Sequence, residues 1–190
     1  MSIYGAAILV FGIFGAPIPS VSNKDKAKIE KNLLQGKWEL VKVEICGKTY
    51  LPEQIGGGVY LSRDGEIVVC KNSMEAFMKL RYFPIYGVGV DKNMAFSGDK
   101  YEGACEMDGQ ILSGESKYKI DVSRNPRRII FIYDKDHDST VPLDYPEPLY
   151  IYSVSKEELR LCFGIGKYPS DFKTHKNKKT CLMIYKKAEK

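Results

Sequence analysis

The stretch DKDHDST, Asp134 to Thr140, gathers side chains that could bind a metal ion: Asp134, Asp136 and Asp138 alternate, with His137 between them. Alternating carboxylates supply the oxygen ligands of calcium loops, but such a loop needs glycine at its sixth position and glutamate at its twelfth. Counted from Asp134, those places hold Ser139 and Tyr145. The stretch therefore reads as a solvated hairpin tip. The second histidine, His175, lies 38 residues further on, without carboxylates at ligand spacing, so no zinc site is expected. Covalent catalysis needs a nucleophile, a base and an orienting group. The chain has no G-x-S-x-G elbow, and neither Gly56 to Gly58 nor Gly164 to Gly166 is followed by the Lys-Ser/Thr of a phosphate loop. A non-enzymatic protein without metal or cofactor is expected.

Five cysteines remain: Cys46, Cys70, Cys105, Cys162 and Cys181. An odd number leaves at least one thiol outside any intrachain bridge, and no C-x-x-C spacing marks a redox or zinc motif. In LRLCF the alternation sets Leu159, Leu161 and Phe163 on one face and Cys162 on the other. In TCLMIY, Leu182 and Ile184 are expected to point inward and Cys181 outward. If the two strands pair as a hairpin, both sulfurs share the outer face, and a Cys162–Cys181 bridge is geometrically open.

The elements that must carry these residues are short and numerous. With 190 residues, 44% of them apolar and 28% charged, the chain has the size and composition of one globular domain. Residues 1–22 stand apart. An uncharged apolar run from Ala6 to Ala16 is too short to cross a bilayer as a helix and has the length of a signal-peptide core. Ser20 and Ser22 supply small residues before Asn23. A secreted or periplasmic location follows, with no integral membrane segment after cleavage. The rival reading is a buried N-terminal strand or helix. The net charge of +5 is concentrated at the other end, where Lys156 to Lys190 holds ten Lys/Arg against four Asp/Glu. No aromatic residues interleave with the lysines of KTHKNKK, Lys173 to Lys179, as base stacking would require, so no nucleic-acid partner is expected.

SNKDKAKIEKNLLQG reads as a short helix, capped by Ser22 with Asp25 three residues on, turning Ile29 and Leu33 to one face and ending at Gly36. From Lys37 the period becomes that of strands: KWELVKVEI, GVYLS, EIVVCK, SKYKIDV, RRIIFIY, PLYIYSV, ELRLCFG and TCLMIYKK. Arg63-Asp64-Gly65 marks a hairpin between the second and third. Asn72 to Phe83 offers one further helical segment, inside residues 55–93, which look inserted. Without long helices between strands, an all-β antiparallel barrel of about eight strands fits best, with a sandwich as the rival.

Gly36-Lys37-Trp38, following a short helix, resembles the G-x-W signature that opens the first strand of lipocalin-like barrels. The order of LQGKWELVKVEICGK, MAFSGDKY, SGESKYKIDVSRNPRRIIF, ELRLCFG and YPSDFKT through LMIYKK is similar to a group of small lipocalin-like proteins of planctomycetes, mostly without assigned function. The resemblance implies an up-and-down barrel over residues 23–190, closed at its narrow end by Trp38, with Lys186 or Lys187 of the last strand packed over the indole. It implies no reaction, and for Cys162 it favours a buried thiol as much as a bridge. Tyr118, Ile120, Phe131, Leu161 and Phe163 are then the interior set. They either line a site for a small hydrophobic ligand or pack as core; in the second case the outer surface and loops serve a protein partner.

Overall fold

The computed structural model describes residues 22–55, 59–61, 67–70, 75, 86–88, 90–107, 110–132, 148–175 and 179–189. Residues 1–21 of the predicted signal segment, DKDHDST and nearly all of the predicted helix Asn72 to Phe83 lie outside them. Helix α1 (Asn23–Leu34) leads into strand β1 (Gly36–Ile45). The chain then makes an excursion through β2 (Lys48–Tyr50), a 3-10 turn (Pro52–Ile55), β3 (Val59–Leu61), β4 (Ile67–Val69) and β5 (Tyr86–Val88). Next come β6 (Asn93–Ser97), β7 (Lys100–Met107), β8 (Gln110–Asp121), β9 (Arg128–Ile132), β10 (Pro148–Val154), β11 (Glu158–Ile165) and β12 (Thr180–Lys187).

Each strand from β6 to β12 pairs antiparallel with the next; β1 pairs with both β6 and β12, which closes an eight-stranded up-and-down barrel. Eight was the expected number, but two of its members differ. GVYLS and EIVVCK form β3 and β4, which join β5 in a separate three-stranded sheet. Their places in the barrel go to β6, only five residues long, and to β7, where Gly103 and the charged residues hide the strand period. The excursion still serves the core, because Ile55, Val59, Ile67 and Val90 belong to the same apolar cluster as the barrel interior.

Strand β1 shows how sequence sets the interior. Trp38 and Leu40 face inward; a bulge between Leu40 and Lys42 then shifts the phase, so Val43 and Ile45 face inward as well. The helix differs from expectation in its buried face. Ile29 is 55% exposed, and Glu30 and Leu34 are the buried pair instead. A buried carboxylate must be paired, and Glu30 is: Arg127 Nη1 lies 2.6 Å from it and Tyr152 donates its phenol at 2.6 Å. This pairing fixes α1 against the barrel, and burial, followed by the hydrogen bond to Glu30, holds the Tyr152 phenol far above its ordinary range.

Candidate functional site

The clasp over Trp38 is formed by Lys187, not Lys186. Its ammonium sits 4.2 Å from the centre of the Trp38 ring and donates to the carbonyls of Leu33, at 3.0 Å, and of Gln35. Those carbonyls end α1, where a cation is favoured. Burial pushes the Lys187 ammonium below its usual range. Trp38 completes the lock by donating Nε1 to Leu34 O at 2.7 Å. Gly36 has φ +102°, and a Cβ there would press on Lys187 Cε at 3.2 Å, so glycine is needed for conformation and space alike. Lys186, one residue earlier on the opposite face, reaches Glu39 at 3.4 Å on the surface.

Above the clasp the interior is occupied by rings. Phe96 meets Tyr118 at 5.0 Å and Tyr101 at 5.4 Å; Tyr101 meets Phe131 at 4.8 Å. Phe131 then meets Tyr150 at 5.2 Å, and Tyr150 meets Phe163 at 5.4 Å. This belt runs through β6, β7, β8, β9, β10 and β11, and each contact is worth roughly 1 kcal/mol beyond the burial of its area. Of the expected interior set, Tyr118, Leu161 and Phe163 are buried in one cluster, and Ile120 and Phe131 pack against it. The structure thus brings all five together, touching one core.

The two cysteines on β11 and β12 are not brought together. Phe163 lies opposite Cys181, and Cys162 lies opposite Leu182. Cross-strand partners share a face, so Cys181 points inward with Met183 and Tyr185, while Cys162 points outward with Leu182 and Ile184. The Cys162–Cys181 bridge that the sequence left open does not form, and both residues are thiols. TCLMIY is apolar on both faces, so its alternation cannot choose a phase, and a slip of one residue reverses every side chain. Its outer face is apolar because the β11–β12 loop covers it: Ile151, Cys162, Leu182 and Ile184 are buried beneath Tyr168 and Phe172. Arg128 stacks on Tyr168 at 3.9 Å and holds that cover.

One polar feature of the interior was not anticipated. Asp91 accepts a hydrogen bond from the Tyr101 phenol, and both abut Gly103, where an added Cβ would lie 2.3 Å from Tyr101 Oη and 2.5 Å from Asp91 Oδ2. Gly103 pairs with the inward Met94, so this contact is on the inner face. Burial pushes the Asp91 carboxyl up to about 7. The same surroundings raise the Cys105 thiol, chiefly through burial and then through Asp91. Cys181, also buried, is raised well above its usual range. Thiols held protonated are poor nucleophiles. The single sequence cue was an aspartate directly after the apolar VGV of VGVDKN.

The outside of the barrel carries a hollow of about 650 Å³ across β1, β6, β7 and β8. Its outward rows are Lys37, Ala95, Glu102 and Glu115, then Glu39, Asn93, Ala104 and Ser113. Small side chains leave the sheet uncovered, and the bare backbones of Gly103 and Gly114 extend the floor. Lys100 holds Glu115 at 2.6 Å. None of the five expected interior residues lines this hollow.

Among the described residues no group of three or more His, Cys, Asp or Glu could hold a metal ion. No described helix is long and apolar enough to cross a membrane. Comparison of the chain with protein families, curated proteins and solved structures finds no match.

Proposed function

We propose that this chain is a non-enzymatic, exported, lipocalin-like barrel whose interior is a packed scaffold and whose partner is a protein bound from outside. The observation that carries the reading is the continuous belt of rings, 4.8 to 5.4 Å apart, filling the space where a ligand would sit. Small barrels either fill their interior with side chains or enclose one ligand. The hollow on the outer face offers the partner a shallow floor of small residues. Two of its acids, Glu39 and Glu115, already face lysines; Glu102 is left to meet a basic side chain of the partner. A non-catalytic role is supported by thiols held protonated and by an Asp91 whose hydrogen-bonding neighbour is a phenol rather than an activated nucleophile. Export is supported by the apolar run Ala6 to Ala16 ahead of α1.

Native mass spectrometry of the protein taken from its own exported fraction tests this. The expected species carries a stoichiometric protein partner, which is lost when Ala95→Trp fills the outer hollow. A co-purifying molecule of lipid mass, retained by the Ala95→Trp variant, overturns the reading.

A further inference from the structure

The reading above uses the outer face of the barrel and leaves one strand edge without a role. Strand β8 pairs with β7 from Gln110 to Lys117, but on its other side β9 covers only Lys117 to Asp121. Gln110 to Ser116 therefore form an edge with no strand beside it among the described residues. The hydrogen bonds nearby show which groups this edge presents. The Ala104 carbonyl accepts from Lys92 N at 3.0 Å, away from β8. Its cross-strand partner Ser113 then turns its own N–H and C=O away from β7, and Ile111 and Glu115 do likewise. Tyr118, of opposite phase to Ser113, donates its N–H toward the β7 side, to Asp99 O at 2.9 Å.

Natural sheet edges are guarded against pairing by lysine, proline, a bulge or a covering loop. This edge has none of them. It reads QILSGES, its ladder with β7 runs residue for residue without a shift, and Gln110 to Glu115 are all exposed. Its apolar side chains stand bare: Ile111 is 80% exposed and Leu112 47%. Its one charge, Glu115, is already matched by Lys100 at 2.6 Å. On a chain of net charge +5, two such edges meet without repulsion.

We infer that Gln110 to Ser116 pairs with the same stretch of a second copy of this chain, antiparallel, about a two-fold axis at Ser113. A contact of this symmetry requires a surface that complements itself, and this register supplies one. Ser113 faces Ser113 and Ile111 faces Glu115, so the three residues turned toward the edge exchange about six backbone hydrogen bonds. Leu112 falls opposite Gly114, where an added Cβ would meet nothing within 4 Å, so the exposed leucine enters open space. Ile111 lies against the Glu115–Lys100 pair, whose aliphatic stems cover it. The pairing uses the whole bare stretch and stops where β9 begins, at Lys117. Such a strand from each copy makes a small interface, below about 1,200 Å² in total, so the dimer is reversible and forms at micromolar concentrations and above.

Sedimentation velocity of the protein from about 1 to about 500 μM tests this. A reversible monomer–dimer equilibrium is expected. Ser113→Pro removes the central N–H, which β7 does not use, and should weaken dimerisation about tenfold or more. Leu112→Lys places a charge at the apolar contact and should do the same; it carries the test should the proline variant fold poorly. Under mild oxidation Ser113→Cys should give a covalent dimer beyond the wild-type level, because self-paired residues lie about 5.5 Å apart. Glu115→Cys, whose two copies sit about 14 Å apart in this register, should not. A monomer at every concentration, a dimer that survives both Ser113→Pro and Leu112→Lys, or equal cross-linking of the two cysteine variants overturns the inference. So does a dimer lost on Ala95→Trp yet untouched by Ser113→Pro, which would seat the second copy in the outer hollow.

Discussion

Asp91→Asn is expected to stabilise the protein, and to do so only above a definite pH. In the unfolded chain the carboxyl ionises near 3.8; in the barrel, burial holds its proton until about 7. A group whose folded value is raised favours the fold fully below the unfolded value. That contribution drains away as pH climbs from about 4 to about 7 and is gone above. Over this interval, at 1.36 kcal/mol per pH unit, ionising Asp91 in place costs about 4 kcal/mol. Asparagine keeps the shape and still accepts from the Tyr101 phenol, but never ionises. Urea unfolding of both proteins from pH 4 to pH 9 should therefore give curves that nearly coincide at the acid end. They should diverge to about 4 kcal/mol in favour of the variant at the alkaline end, which is roughly 8 to 16 °C in melting midpoint for a chain of this size. Taking the difference between the two cancels other titrations, such as that of exposed Asp121, which Ser123 holds low. A difference that stays flat with pH, or one that favours the wild type as pH rises, would refute the reasoning.

Three further outcomes follow from the same geometry. Lys187→Met keeps the bulk over Trp38 but leaves the Leu33 and Gln35 carbonyls without their donor; a loss of about 1 to 3 kcal/mol is expected in urea, whereas Lys186→Met, at an exposed pair with Glu39, should stay within about 0.5 kcal/mol. Gly103→Ala forces a methyl group into the Asp91–Tyr101 contact and should lower stability by about 2 kcal/mol or more; Gly114→Ala, with open space before it, should be neutral or slightly stabilising by the same melting assay. Since Cys162 and Cys181 face opposite sides of the sheet, the melting midpoint of the purified protein should not move on adding a reductant, and Cys162→Ala should not create a new reactive thiol at Cys181.

Much of the barrel was legible in the sequence because one face of each strand repeats its apolar residues. Leu159, Leu161 and Phe163 announced their common face, and Gly36, Trp38 and the terminal lysines announced the closure. Where both faces are apolar the signal vanished, which is why Cys181 was expected outside and lies inside. What makes that outer face apolar is a cover, Tyr168 and Phe172, supplied by a loop in which these two aromatics stand singly among charged and turn residues. Strand β7 escaped notice for a related reason: Gly103 interrupts the pattern so that Asp91 and Tyr101 can meet. The helix face was misread because Glu30 looks like a surface residue until Arg127 and Tyr152, about a hundred residues away, neutralise it. Asp91 itself carried almost no signal, since burial, not residue type, gives it an unusual proton affinity.

The packed interior is tested most directly by adding volume to it. Leu161 is buried within the barrel cluster, on the strand that carries Phe163, and Leu161→Trp inserts a larger ring there without introducing charge. In a filled barrel this variant should lose about 1 to 3 kcal/mol in urea unfolding as side chains are forced from their rotamers. An unchanged or raised midpoint would mean that the barrel holds room for a guest, contradicting the account.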